Sequence, residues 1–293
     1  MTKTGVILLA FSALIIGNLF ATFVDVFVKL YADNVSIFQY LFLRQIAVVL
    51  FLLPFWSRLS SRERAPGKLK IHLFRALMTC IGAPCAVVAL LYLSLATANV
   101  IFYAAPMLTL VLALLFFGEP IKIHRILVAT LGLTGVIVAL RPQDIGLASL
   151  LAFVTAFAIA AYNLSVKWLP KGTRTINTIF WANALALPVM AGFAAANWKP
   201  VNVDLAILCI GTSLCLIAYQ GCCIFAFRLA DASAISVAEY SGLVFAALLG
   251  WWMFGEQLDQ WTLLGISFII LPILWQSWHE HQREKARLAR LVY

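Results

Sequence analysis

Asp25, Arg44 and Glu239 stand in stretches that are otherwise apolar, and Lys29 follows Asp25 by one helical turn. Charges are costly inside a bilayer and are kept there for a ligand, an ion or a partner. Asp25 falls about five residues from one end of its run and Arg44 about eight into the next, roughly 7–8 Å and 12 Å deep at 1.5 Å per residue. A carboxylate and a guanidinium at those depths can pair, or can hold the two charged ends of one zwitterion. Lys29 is the other partner open to Asp25. Glu239, beside Tyr240, is a candidate proton carrier, with a hydrogen-bonded helix-end residue as the alternative. Asn18, Tyr103, Tyr162, Asn163, Trp181, Asn183, Tyr219 and Gln220 add polar and aromatic groups to further apolar runs. Ligand sites set a few polar groups among apolar walls. Each of these residues also suits packing or an interhelical hydrogen bond.

The elements that carry these residues follow from composition. Of 293 residues, 63% are hydrophobic and 11% charged, against roughly 25% charged in a soluble domain. The 21 Lys and Arg and 12 Asp and Glu are too few to coat a soluble protein of this size. A helical span takes about 20 apolar residues. The apolar runs predict ten, at 5–30, 36–56, 71–94, 98–117, 122–140, 145–168, 175–196, 204–229, 233–254 and 259–278. Leu95–Asn99 is expected to join the third and fourth. The runs are apolar on every face, which excludes a transmembrane β-barrel with its alternating pattern. The expected fold is therefore an all-α polytopic membrane protein. A soluble enzyme and a nucleic-acid module are excluded, despite the net charge of +9.

The placement of the basic residues supports the count. With the N-terminus inside, the inner side holds Lys3, the basic stretch Arg58–Arg75, Lys122, Arg125, Lys167, Lys171, Arg174, Arg228 and the tail from Arg283 to Arg290. The outer side holds only Lys29, Arg141 and Lys199. Such a bias sets both termini in the cytoplasm. The basic tail, 279–293, is expected to lie on anionic lipid or to act only as an orientation signal. The six cysteines all fall in apolar runs and read as packing residues rather than as disulfides or metal ligands.

The two halves echo each other. Leu95-Ala96-Thr97-Ala98-Asn99, an apolar run and Phe117-Gly118-Glu119-Pro120 recur as Leu229-Ala230-Asp231-Ala232-Ser233, an apolar run and Phe254-Gly255-Glu256-Gln257. Asp25-x-x-x-Lys29 is echoed by Asn163-x-x-x-Lys167. The chain thus divides into repeats at 1–141 and 142–278, each of five spans. Because five is odd, the repeats enter the membrane in opposite directions. Gly118-Glu119 then faces inside and Gly255-Glu256 outside. Inverted repeats underlie secondary transporters that alternate about a site near the midplane. A channel built from the same duplication is the alternative from another class.

The chain resembles the drug/metabolite transporter superfamily, in its ten-span EamA-type branch. The resemblance rests on Phe23-x-Asp25-x-x-x-Lys29, Phe38-Gln39-x-x-x-x-Arg44, Tyr92-x-Ser94-Leu95-Ala96-x-Ala98-Asn99, Pro106, Gly118-Glu119-Pro120, Gly132-x-x-Gly135-Val136 and Arg141-Pro142. In the second half Tyr240-Ser241-Gly242 stands where the first has Pro106. The resemblance implies a bacterial inner-membrane carrier for a small polar or amphipathic metabolite, such as an amino acid, working by alternating access. It implies export first, and uptake of a vitamin or cofactor, riboflavin-like or S-adenosylmethionine-like, as the alternative. A proton or a counter-solute would drive it.

Other features bear on mechanism. There is no phosphate-binding Gly-x-x-x-x-Gly-Lys-Ser/Thr loop, no His-Glu-x-x-His and no Gly-x-Ser-x-Gly, so neither an ATPase nor an intramembrane enzyme is expected. No cofactor and no resident metal are expected. Small residues recur every fourth position at Ala13, Gly17 and Ala21, at Ala152, Ala156 and Ala160, and at Gly242, Ala246 and Gly250, which allows close helix approach. Pro106 is the candidate hinge, since a proline frees a backbone carbonyl and can bend a helix. Gly118-Glu119-Pro120 reads as a helix stop and restart, with Glu119 expected to pair with Lys122 or, as the alternative, to act as a gate, and Trp198, Trp251, Trp252, Trp261, Trp275 and Trp278 are expected near the membrane surfaces.

Overall fold

The computed structural model describes residues 3–32, 35–118, 146–196, 198–230, 238–257 and 263–268, with shorter pieces among 127–138 and at 235, 260–261, 271–272 and 275. The expected span five lies largely outside these residues, and span ten only in part. So do the repeat boundary at 141, the Glu119–Lys122 pair, Trp278 and the basic tail.

Among the described residues the regular structure is helical. The helices are α1 (Lys3–Tyr31), α2 (Ile37–Trp56), the short α3 (Ser61–Arg64), α4 (Leu69–Tyr92), α5 (Leu95–Phe102) and α6 (Ala105–Phe117). They continue with α7 (Leu147–Leu164), a 3-10 turn (Ser165–Trp168), α8 (Thr175–Ala195), α9 (Val203–Leu229) and α10 (Ser241–Phe254). Seven helical stretches, counting α5 with α6, are long and apolar enough to cross a bilayer. Backbone groups in lipid must be satisfied within the segment, so long helices are what such sequences form. Their outward faces carry large apolar side chains, and Leu115 is 69% exposed. Lipid, not water, is the solvent that tolerates those faces.

Two boundaries differ from the sequence reading. Leu95–Asn99 is not a connection but the first turn of α5, because the Ser94 hydroxyl accepts from the Thr97 backbone N–H at 3.0 Å and caps the helix. The expected fourth span is broken at Tyr103-Ala104, and Pro106 sits in the first turn of α6, where its missing N–H costs nothing. Gly118 and Gly255, at φ 58° and 60°, end α6 and α10 in the left-handed conformation.

Packing follows the small residues. α1 packs mainly on α9, α4 on α7 and α2 on α8. At Gly17 a Cβ would lie 2.9 Å from Cys222, and at Gly82 it would lie 2.6 Å from Ala158. Ala152, Ala156 and Ala160 are fully buried, and the Thr155 hydroxyl donates to the Gly82 carbonyl at 3.2 Å.

The two ends of the bundle are built differently. At the basic end the 57–68 connection is clamped. The Trp56 indole stacks on Phe180 with centroids 4.2 Å apart and donates to Asn177. Asn177 donates to the Ala65 carbonyl, and Trp181 donates to the Arg64 carbonyl at 2.8 Å. Ser60 and Glu63 form a capping box, and Glu63 also pairs with Arg174 at 2.8 Å. The Arg174 guanidinium, with the Ser60 bonds, holds the Glu63 carboxyl down at about 2. At the far end Gln39 exchanges two hydrogen bonds with the Lys199 backbone.

Candidate functional site

A cavity of about 190 Å³ opens within the bundle, lined from α1, α2, α4, α5, α6, α7 and α9 together with Glu239. Asp25, Arg44 and Glu239 all line it. Asp25 is not paired with Arg44 or Lys29. Its Oδ2 accepts from the Asn99 amide at 3.0 Å. Arg44 is held by Tyr40, with the phenol oxygen at 3.3 Å and the ring centroid at 5.4 Å, and its Nε has no partner. Glu239 Oε1 lies 3.5 Å from the Asn163 amide, and Oε2 has no hydrogen-bond partner among the described residues. Two carboxyl groups and one guanidinium thus face one space with spare hydrogen-bonding capacity. Buried polar atoms left without partners in a native protein call for an explanation.

Tyrosines and amides complete the wall. Tyr103, Tyr162 and Tyr219 line it, and the Tyr219 hydroxyl accepts from Asn163 at 3.3 Å. Gln220 lines it and accepts from Asn183 at 3.2 Å. Asn18 supports a second helix break. Where the chain turns at Tyr240 before α10, its side-chain amide donates to the carbonyls of Ala238 and Glu239 at 3.0 and 2.8 Å. Carbonyls freed by a break in an apolar bundle need such a donor. Next to that break a Cβ at Gly242 would fall on the Tyr103 hydroxyl. Glycine there is what lets α10 approach the cavity wall.

The family model of the EamA-like transporter family matches the chain twice, at residues 5–141 and 146–278. The chain belongs to the EamA-like transporter family. It is therefore a multi-pass membrane transporter, and its family is one of transporters rather than enzymes. It is 29% identical to a protein of Rickettsia bellii named S-adenosylmethionine uptake transporter, over 85% of this chain and 86% of that one. It is 28% identical to a riboflavin transporter of Rhizobium johnstonii, over 80% of this chain and 79% of the other. A riboflavin transporter of Vibrio cholerae is 25% identical, over 93% and 92%. A solved crystal structure, 18% identical, superimposes with a TM-score of 0.66 over 92% of this chain and 95% of the other, a likeness of fold.

Within this EamA-like chain, several residues singled out from sequence lie away from the cavity. Lys29 is at the far end, where its ammonium pairs with Glu256 at 2.9 Å and donates to the Leu93 carbonyl. Trp181 is part of the basic-end clamp. Tyr240 stands behind the wall, its ring 6.3 Å from that of Tyr103. Pro106 lines the cavity just after the α5–α6 break. Among the described residues no group of three His, Cys, Asp or Glu side chains is gathered to hold a metal.

Two residues were missed. Glu256 accepts from the backbone N–H groups of Leu95 and Ala96 at 2.8 and 3.3 Å as well as from Lys29. It caps α5 with the carboxylate that a helix N-terminus favours. Its signal was the repeated Gly-Glu after an apolar run, which marks the repeat and the outer side without naming a partner. Arg75 is fully buried, and it was counted with the loop charges because it lies in the second turn of α4. The signal was periodicity: His72 and Arg75, three apart, share a face of an apolar helix.

Proposed function

We propose that the chain is a secondary carrier that takes up a small metabolite bearing two cationic groups and one anionic group, with S-adenosylmethionine as the first candidate. The observation that carries this reading is the set of groups around one cavity. Asp25 and Glu239 offer carboxylates to a sulfonium and an ammonium, and Arg44 offers a guanidinium to a carboxylate. The tyrosine rings offer aromatic surface to a flat base and to the cation. The name of the Rickettsia bellii relative supports the same substrate and the uptake direction. Riboflavin is the second reading, favoured by the tyrosine wall and by two relatives so named. Export of an amino acid remains the outcome that opposite transport polarity would establish.

The cycle is alternating access by ten spans arranged as two inverted repeats. Two family matches of similar length and the pairing of α1 with α9 and α4 with α7 support that arrangement. The protein sits in the bacterial inner membrane with its basic end in the cytoplasm, which the distribution of Lys and Arg supports. A proton or a counter-solute completes each turnover, with Glu239 as the proton site. At about 190 Å³ the cavity is below the roughly 300 Å³ at which ligand pockets usually begin. The helices must part to admit an adenosyl compound.

The test is ligand stabilisation of the purified protein followed by counterflow. S-adenosylmethionine at 100 times its dissociation constant adds about 2.7 kcal/mol to the folded state. Stabilisation by it and counterflow of the labelled compound are expected. Stabilisation by riboflavin alone selects the second reading. Flux without counterflow makes the protein a channel.

A further inference from the structure

We propose, resting on the carrier reading above, that Arg75 is a second anion-binding residue, which receives the substrate's carboxylate from Arg44 on the basic-end side of the cavity. Arg75 is fully buried in an apolar helix. One amino group, Nη1, donates to the Tyr162 carbonyl at 2.7 Å and to the Ser165 hydroxyl at 3.0 Å. Among the described residues Nε and Nη2 have no hydrogen-bond partner. Among the described residues no carboxylate lies within ion-pair distance of it; the ion pairs there are Lys29–Glu256 and Arg174–Glu63. The nearby charge is Arg228, of the same sign.

A guanidinium kept only for packing would have its donors satisfied, because an unpaired buried charge is among the costliest groups a membrane protein can hold. Two spare N–H groups in a planar fork are what a carboxylate takes in bidentate fashion. The approach is short. The guanidinium lies 3.7 Å from the centroid of the Tyr162 ring. Tyr162 lines the cavity. Met78 and Thr79, one turn further along α4, line the cavity as well. The tyrosine ring therefore forms the floor between the cavity and Arg75, and a turn of that side chain exposes the guanidinium.

The two arginines are placed as successive stations. Arg44 lies two turns from the far end of α2, and Arg75 two turns from the basic end of α4. Each rests against a tyrosine ring and has unfilled donors. A substrate anion moving between the ends of the bundle leaves one guanidinium for the other, so it does not cross the apolar middle unpaired.

The experiment compares S-adenosylmethionine with its decarboxylated analogue, which keeps the sulfonium and the amine. Transport by the full chain is measured in right-side-out and inverted membrane vesicles, for the wild type, Arg75→Gln and Arg75→Lys. In Arg75→Gln the KM for S-adenosylmethionine presented at the basic end is expected to rise about tenfold or more, with the far-end KM and both KM values for the analogue within about twofold. Arg75→Lys, which keeps the charge and loses the fork, is expected to fall between. Should Arg75→Gln fail to fold, the ratio between the two compounds in Arg75→Lys reads the same effect. Equal losses for both compounds, equal losses at both faces, or no loss at all overturn the proposal. A wild type that moves neither compound overturns the carrier reading and this proposal with it; a wild type that moves both beside an indifferent Arg75 variant overturns the proposal alone.

Discussion

Glu239 and Glu256 flank the same helix, α10, and their surroundings are opposite. Glu256 at the far end accepts from Lys29 and from two backbone N–H groups that open α5. Glu239 in the cavity has one long contact with Asn163 and an oxygen without a partner. The first carboxylate joins the segment after α10 to α1 and α5. The second has capacity left over. The difference teaches that a charge inside a bundle is best read by what satisfies it: a filled hydrogen-bonding shell marks a strut, and an unfilled one in a cavity marks a place for a ligand.

Four experiments break or sharpen this contrast. Glu256→Gln removes the anion and leaves Lys29 and two helix N–H groups short of a partner. The expected loss is about 2–3 kcal/mol of stability, below the roughly 3–5 of a fully buried pair because the site is partly open to solvent. Thermal or denaturant unfolding in detergent measures it, and ligand affinity in the surviving fold should stay within about twofold. Glu239→Gln should do the reverse. Affinity for S-adenosylmethionine is expected to fall about tenfold to thirtyfold, as for a lost charge-assisted hydrogen bond, with unfolding unchanged. Were Glu239→Gln to unfold the protein and spare binding, the two carboxylates would have to exchange roles.

Gly242→Ala tests the wall instead of the charges. The added methyl falls on the Tyr103 hydroxyl, so Tyr103 must move. A cost of about 1–2 kcal/mol is expected, as for overpacking, together with weaker binding. Double substitution with Tyr103→Phe should recover part of the stability, because the nearest clash is with the hydroxyl, while the ring Cζ at 2.8 Å stays.

Glu63 gives the smallest effect. Its carboxyl is held down from 4.5 to about 2 by Arg174, so the folded form binds its proton less readily than the unfolded chain does. That contribution is complete above about pH 4.5 and is lost as the pH falls towards 2. A denaturation series over that window should show a steeper fall for the wild type than for Glu63→Gln. At an exposed pair the difference is expected to be slight.

Much of the scaffold was legible in the sequence. Helix limits such as 37–56 for α2 and 175–195 for α8 follow from apolar length and from bounding polar residues. Gly255, visible in the sequence as one of two repeated Gly-Glu pairs, ends α10 in the left-handed conformation that favours glycine. The site was legible in part. Asp25, Arg44 and Glu239 were visible because each is an ionisable group in an apolar run, and they do share one cavity. The partners were not visible. Asp25 faces Asn99 and Lys29 faces Glu256, contacts between residues far apart in the chain.

The sequence by itself determined that the chain is built for lipid, where most of the described helices start and stop, and several of the charges it commits to the interior. Those are local properties, set by transfer free energy and by backbone conformation along a few turns. Only the tertiary structure decided which interior charges are satisfied. Asn18 covers carbonyls more than two hundred residues away, and Tyr162 from α7 screens Arg75 of α4. Hydrogen bonds and ion pairs act over about 3 Å, so their partners are known only once the helices are packed.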